Sequence, residues 1–168
     1  ENDYTAAMLA PFKSLEDTIY AEIRSRIKED DSSVPVFDDG YWYYSRYEIG
    51  KQHPIVARRP SEMAAPEESL LAKGHAFYPI GNYEVTRDGK MLAWADATVG
   101  RNQFVLHIKE IATGKVLPDM ATNIAPSLVW ANDNKTLFYT GKHETTLRED
   151  RVFRHVLGAT QGELVYKE

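Results

Sequence analysis

Cysteine is absent from the 168 residues, which excludes a disulfide scaffold, thiolate catalysis and cysteine-ligated zinc. An excess of basic charge is missing as well. The net charge is -5 with both signs spread along the chain, so there is no basic stripe and nucleic acid is not an expected partner. No uninterrupted apolar run approaches the roughly 18 to 20 residues a membrane span needs, and no membrane partner is expected. The opening residues, ENDYTAAMLAPF, carry acids where a secretory leader carries bases. They read as the middle of a helix, and the expectation is that further chain precedes them.

Signatures of catalysis are missing too. The sequence has no Gly-x-Ser-x-Gly, the run that holds a nucleophilic serine on a sharp strand-to-helix turn. Its serines have cheaper explanations: Ser32 and Ser33 in a polar linker, Ser45 inside a strand, Ser127 at the start of one. Ser25-Arg26-Ile27-Lys28 has a bare Ser-x-x-Lys spacing on an exposed helix, without companion motifs. None of His53, His75, His107, His143 and His155 has the i, i+4 histidine and glutamate of a zinc helix. Asn134-Lys135-Thr136 fits a glycosylation acceptor, yet it also forms a turn and the start of a strand, and the turn reading is preferred. Phosphate-cradling glycine loops are absent. No catalytic, cofactor-binding or metal-binding residue is assigned, and no cofactor is expected.

What is present begins with a helical lead-in. From Asn2 to Glu29 the apolar residues Tyr4, Met8, Phe12, Leu15, Ile19, Ile23 and Ile27 recur at steps of four and three, the period of a helix with one buried face. The face is expected to pack on the chain's own body. Pro11 splits the segment and is expected in the first turn of a second helix running to about Lys28. Glu22 and Arg26 can pair across one turn. The polar run from Glu29 to Ser33, closed by Val34-Pro35, ends it.

Beyond Pro35 the period becomes two, and aromatic and β-branched residues dominate, as strands require. The organising unit is DGYWYYSRYEIGKQHPIVARR, Asp39 to Arg59: a turn, an aromatic strand, a Gly-Lys hairpin and a second strand. It recurs. Arg87 to Trp94 lines up with Asn132 to Tyr139 at an offset of 45, each an Asp-Gly or Asp-Asn turn followed by Lys and a strand. Phe104 to Ile108 matches Val152 to Val156, and Gly114 to Leu117 matches Gly162 to Val165, both at an offset of 48. His107 and His155 share one place in this repeat, which argues for packing rather than ligation. The aromatics Trp42, Tyr43, Tyr44, Trp94, Trp130, Phe138 and Tyr139 recur with the repeats and are expected in the core between them. Arg58, Arg59 and Arg101 are expected on loops or strand ends.

A period of 45 to 50 residues with four short strands per unit marks a β-propeller blade, and propellers close with roughly four to eight of them. The fold class expected is therefore mainly β with an N-terminal helical segment, part of a ring. Its expected divisions are residues 1–33 for the helices and 34–168 for about three blades. Open strand edges would favour self-association.

Taken together, ENDYTAAMLAP, SVPVFDDGYWYYSRYEIGKQHPIVARRP, AKGHAFYPIGNYEVTRDGKMLAWADATVGR and LVWANDNKTLFYTGKHETTLREDRVFRHVLG resemble oligopeptidase B, the trypsin-like branch of the prolyl oligopeptidase family of serine peptidases. The resemblance runs through nearly the whole chain. It implies a partial seven-bladed propeller of four-stranded antiparallel blades. It also implies a C-terminal α/β-hydrolase domain outside this chain, carrying a Ser-Asp-His triad. Short basic peptides, cut after Lys or Arg, are the implied substrates, and the cytoplasm the implied compartment, with the periplasm as alternative. A propeller scaffold without enzymatic activity and a proline-specific sister enzyme remain alternatives. One departure stands inside the match: the family's Leu-Asp-x-Asn turn between Ser69-Leu70-Leu71 and Gly74-His75 is missing. Ala72-Lys73 is short for a connection, so a loop closed over in the numbering is favoured over a deletion.

Overall fold

Up to Ser25 the chain is helical, in the two pieces that Pro11 imposes. Helix α1, Asn2–Leu9, and helix α2, Lys13–Ser25, flank a single 3-10 turn over Ala10–Phe12. Pro11 therefore sits in the link rather than in the first turn of α2, where its missing N–H costs nothing. α2 also stops short of Lys28. Arg26 and Ile27 donate three residues back, to the carbonyls of Ile23 and Arg24 at 3.1 Å, and such tightening closes a helix. Glu22 and Arg26 do pair across one turn.

The computed structural model describes residues 1–51, 53–60, 67–69 as backbone, 80–97 and 102–168. The chain divides into two compact units, Glu1–Leu70 and Leu71–Glu168. His75, Arg101 and the departure around Leu71 and Ala72 lie outside the described residues.

In the first unit the helices are followed by a four-stranded antiparallel meander in chain order: β1 Val36–Asp38, β2 Tyr41–Arg46, β3 Ile55–Arg59 and β4 Glu67–Ser69. Asp39 and Gly40 turn β1 into β2 with φ of 40° and 85°, which an aspartate tolerates and a glycine favours. The run taken as a plain polar linker is pinned to β2: Ser33 N–H donates to Ser45 O at 2.8 Å, and Ser33 Oγ accepts from Ser45 N–H at 2.9 Å.

The second unit is one antiparallel sheet of seven strands, also in chain order. Its members are β5 Ile80–Val85, β6 Met91–Asp96, β7 Phe104–Glu110, β8 Val116–Trp130, β9 Thr136–Lys142, β10 Glu149–Val156 and β11 Glu163–Lys167. The repeats read from the sequence fall on equivalent strands, β6 with β9 and β7 with β10. The difference lies in β8. This 15-residue strand pairs with β7 from Val116 to Ile124 and then with β9 from Ile124 to Trp130. Asn123 has a φ of 55°, and the register with β9 shifts between Ile124 and Leu128, so the strand bends from one partner to the other. Ser127 accordingly lies within a strand rather than at its start. The seven strands are thus two four-stranded blades sharing β8: β5 to β8, and β8 to β11. Each of these, like the four-stranded meander of the first unit, is an antiparallel sheet of the kind that forms a β-propeller blade, and the fold class is that of a partial β-propeller.

The core of this unit follows the alternation along β7, where Phe104, Leu106 and Ile108 are buried against Ala93, Ala95, Leu128, Leu137 and Tyr139. Of the expected core aromatics, Trp94 and Tyr139 are buried and the others are half-buried.

The blade turns are held by carboxylates. Asp88 accepts from the Thr86 hydroxyl at 2.8 Å and from Lys90 N–H at 3.2 Å. Asp133 accepts from the N–H groups of Lys135 and Thr136 at 2.9 and 2.8 Å, and from the Thr136 hydroxyl at 2.7 Å. These bonds, led by the Thr86 hydroxyl for Asp88 and by Lys135 N–H for Asp133, hold both groups below the ordinary value of 3.8. A carboxylate lowered on folding stabilises the fold fully above its unfolded value and loses that contribution as pH falls through the folded one. The expected result is a urea midpoint that declines below pH 3.8. The decline should be shallower in Asp133→Asn, read by fluorescence across an acid series.

Candidate functional site

Two features stand out: an uncovered apolar helix face and a set of polar contacts between the second and third blades. The helix stripe predicted from periodicity exists, but no residue of α1 or α2 is buried. The expectation that it packs on the chain's own body is not met. Met8, Phe12, Leu15, Ile19 and Ile23 are each about half exposed. Leu9, Phe12, Leu15, Ile19 and Ile23, with Glu16 and Tyr20, line a groove of about 440 Å³. A continuous apolar strip of this kind marks a surface that something covers.

The end of α2 is tethered. Glu29 accepts from Arg24 at 2.5 Å and from Gly50 N–H, in the β2–β3 hairpin, at 3.3 Å. The Arg24 guanidinium and then the Gly50 N–H hold this carboxylate below its ordinary value. The helix face is thereby fixed relative to the first blade.

Arg58 and Arg59 lie at the end of β3, as expected. The Arg58 guanidinium is 4.0 Å from the centre of the Tyr41 ring, and that of Arg59 is 5.4 Å from that of Tyr44. Their cations therefore rest on the aromatic strand.

The repeated histidines each meet an aspartate that sequence reasoning did not single out. His155 Nε2 is 2.8 Å from Asp119 Oδ2, and both side chains are 2% exposed. The same oxygen accepts from Gly158 N–H at 2.6 Å. His107 Nε2 is 3.3 Å from Asp96 Oδ2 and stacks on Trp94, whose Nε1–H donates to the same carboxylate at 2.7 Å. A His-Asp pair is two-thirds of a hydrolytic triad; the His155–Asp119 pair is closed off from solvent, whereas the His107 side chain is 28% exposed. His155 is a buried side chain held by hydrogen bonding, and His107 is a half-buried one stacked on Trp94. Among the described residues no group of three or more His, Asp or Glu side chains is arranged to hold a metal ion. The aspartates were missed because Asp119 lies 36 positions from His155, a separation no local spacing rule spans.

The family model described as "Prolyl oligopeptidase, N-terminal beta-propeller domain" matches residues 1–168. Dipeptidyl aminopeptidase BI of Pseudoxanthomonas mexicana is 43% identical over 190 residues, covering the whole of this chain and 26% of the relative. Protease 2 of Moraxella lacunata is 29% identical over 182 residues, covering 100% of the chain and 26% of the relative. Oligopeptidase B from Leishmania major superposes with a TM-score of 0.89 at 31% identity, covering 98% of this chain and 24% of that one. The chain spans about a quarter of the length of these relatives. The resemblance read from the sequence is borne out.

Proposed function

The chain belongs to the prolyl oligopeptidase family, as part of its N-terminal β-propeller, and from that premise we propose that it is the helical lead-in and leading blades of a serine oligopeptidase. Residues 1–33 form the lead-in and 34–168 the blades. The catalytic groups belong to an α/β-hydrolase domain elsewhere in the protein, where a serine takes the acyl group and water releases it, with histidine as general base. The propeller caps that site, so that only short, flexible peptides enter as the domains move. The apolar face of α2 packs on the hydrolase domain and ties the two together. Cleavage follows Lys or Arg, in the cytoplasm. What carries this reading is the match of the propeller family model across the chain; likeness to oligopeptidase B at 31% identity supports the basic preference.

A second reading has its own observation. The 43% relative is named a dipeptidyl aminopeptidase, which favours removal of dipeptides from a free N-terminus over internal cleavage. Both are tested on the intact protein with Arg-containing fluorogenic peptides of increasing length, free or acetylated at the N-terminus, with products read by mass spectrometry. Internal cleavage after Arg in acetylated peptides supports the first reading, and dipeptide release from free peptides alone supports the second. Cleavage only after Pro, or none, overturns both in favour of the proline-specific enzyme or the scaffold. The 168-residue chain by itself is expected to cleave nothing.

A further inference from the structure

The turn between β9 and β10, residues 143–148, is organised by an imidazole. His143 Nδ1 accepts from Thr145 N–H at 3.2 Å and from Thr146 N–H at 3.3 Å. A ring nitrogen that accepts carries no proton, so this arrangement requires a neutral His143 with its proton on Nε2. The backbone closes beside the ring: His143 N–H donates to Arg148 O at 2.8 Å, and Leu147 N–H to His143 O at 2.9 Å. Leu147 is held at a φ of 58°, a left-handed conformation that so bulky a side chain enters only at a cost. The two bonds to Nδ1 help to offset that cost. The charged groups bordering the turn come from β9, β10, the turn itself and the residue after β11. Lys142 donates to Asn102 O, Arg151 pairs with Asp150, and Arg148 pairs with Glu168. Glu144 and Glu149 are exposed, as is His143. Among the described residues none of these groups bonds to the ring, whose hydrogen bonds are the two from Thr145 and Thr146.

We infer that the β9–β10 turn is a pH-sensitive latch, closed while His143 is neutral and released when its Nδ1 takes a proton. Protonation converts the acceptor into a donor aimed at two other donors, so both bonds are lost at once and the left-handed Leu147 loses its support. Histidine is the side chain whose charge changes between about pH 5 and 8, and solvent reaches this one directly. The turn stands at the end of the third blade where β8 changes partners, since Gly141 pairs with Ile124. Its release therefore alters the surface at that end while the strands stay paired. The latch does not depend on the peptidase reading.

Hydrogen exchange on the intact protein, followed by mass spectrometry at several values between about pH 8 and 5, tests this without substrate. After correction for the pH dependence of intrinsic exchange, protection of residues 143–148 is expected to fall on acidification by roughly two- to tenfold, the worth of a hydrogen bond, while that of 136–141 holds. Two variants separate the ring's role from the turn's. His143→Asn keeps a side-chain acceptor that can cap amides two and three residues on, and cannot be protonated. It is expected to stay protected at every pH. His143→Ala has no acceptor and is expected to exchange fast at every pH. Protection of 143–148 that does not change with pH in the unaltered protein, or a loss on acidification that persists in either variant, would overturn the inference.

Discussion

Replacing Asp119 by alanine is expected to cost about 3 kcal/mol or more of stability, because it leaves two buried partners without their acceptor, at about 1–3 kcal/mol for each unsatisfied group. The carboxylate is 2% exposed and serves two donors, His155 Nε2 and Gly158 N–H, so its loss strands both in a dry seam. Trp94 and Trp130 lie in the same unit and report unfolding in urea by fluorescence. Asp119→Asn keeps the shape and an oxygen that can accept from Gly158, and is expected to lose less than half as much. Because the two residues act as one unit, the Asp119→Ala/His155→Ala double variant is expected to lose well under the sum of the single losses. Strict additivity would mean that the pair contributes no coupling.

Leu106→Ala is expected to cost about 2–5 kcal/mol, the usual range for a large-to-small change in a packed core. Leu106 is 1% exposed on β7 and packs in the cluster that includes Ile108, Ile124 and Leu137, with 1% exposure or less at each. The backbone of the same unit packs closely. A methyl group added at Gly81 would fall 2.4 Å from Pro126 Cβ and 2.6 Å from Phe104 Cε1, and one at Gly141 2.5 Å from the Phe153 ring. Close packing of this kind limits collapse into the cavity that the lost isobutyl group leaves, so the loss is expected in the upper half of the range. A loss below 1 kcal/mol, read from the urea midpoint, would show that the blades collapse onto the gap.

The elements legible in the sequence were those written locally. Asp39-Gly40, Asp88-Gly89 and Asp133-Asn134 read as turns, and Gly40, Gly89 and Asn134 carry the positive φ such reversals need. The match of Phe104 to Ile108 with Val152 to Val156 placed β7 and β10 on equivalent strands. The continuity of β8 was not legible, because only pairing to β7 on one side and β9 on the other carries the strand through its bend at Asn123. The helix stripe was legible as a pattern but not in its destination, since amphipathicity says that a face seeks cover without saying from what. The bonds between the second and third blades were hidden for a related reason: Trp130, Asn134 and Lys142 each reach a backbone group, those of Glu84, Asp88 and Asn102, and backbone groups leave no mark in the sequence.

The unbroken run of β8 also decides where this polypeptide can be cut. An engineer trimming the gene after Ala121, to keep the second blade and discard the third, would sever a ladder in its middle. Asn123 would be lost, and with it the crossing from β7 to β9. The turn at residues 143–148, between paired strands, is the place where a nick or an inserted peptide would do least harm.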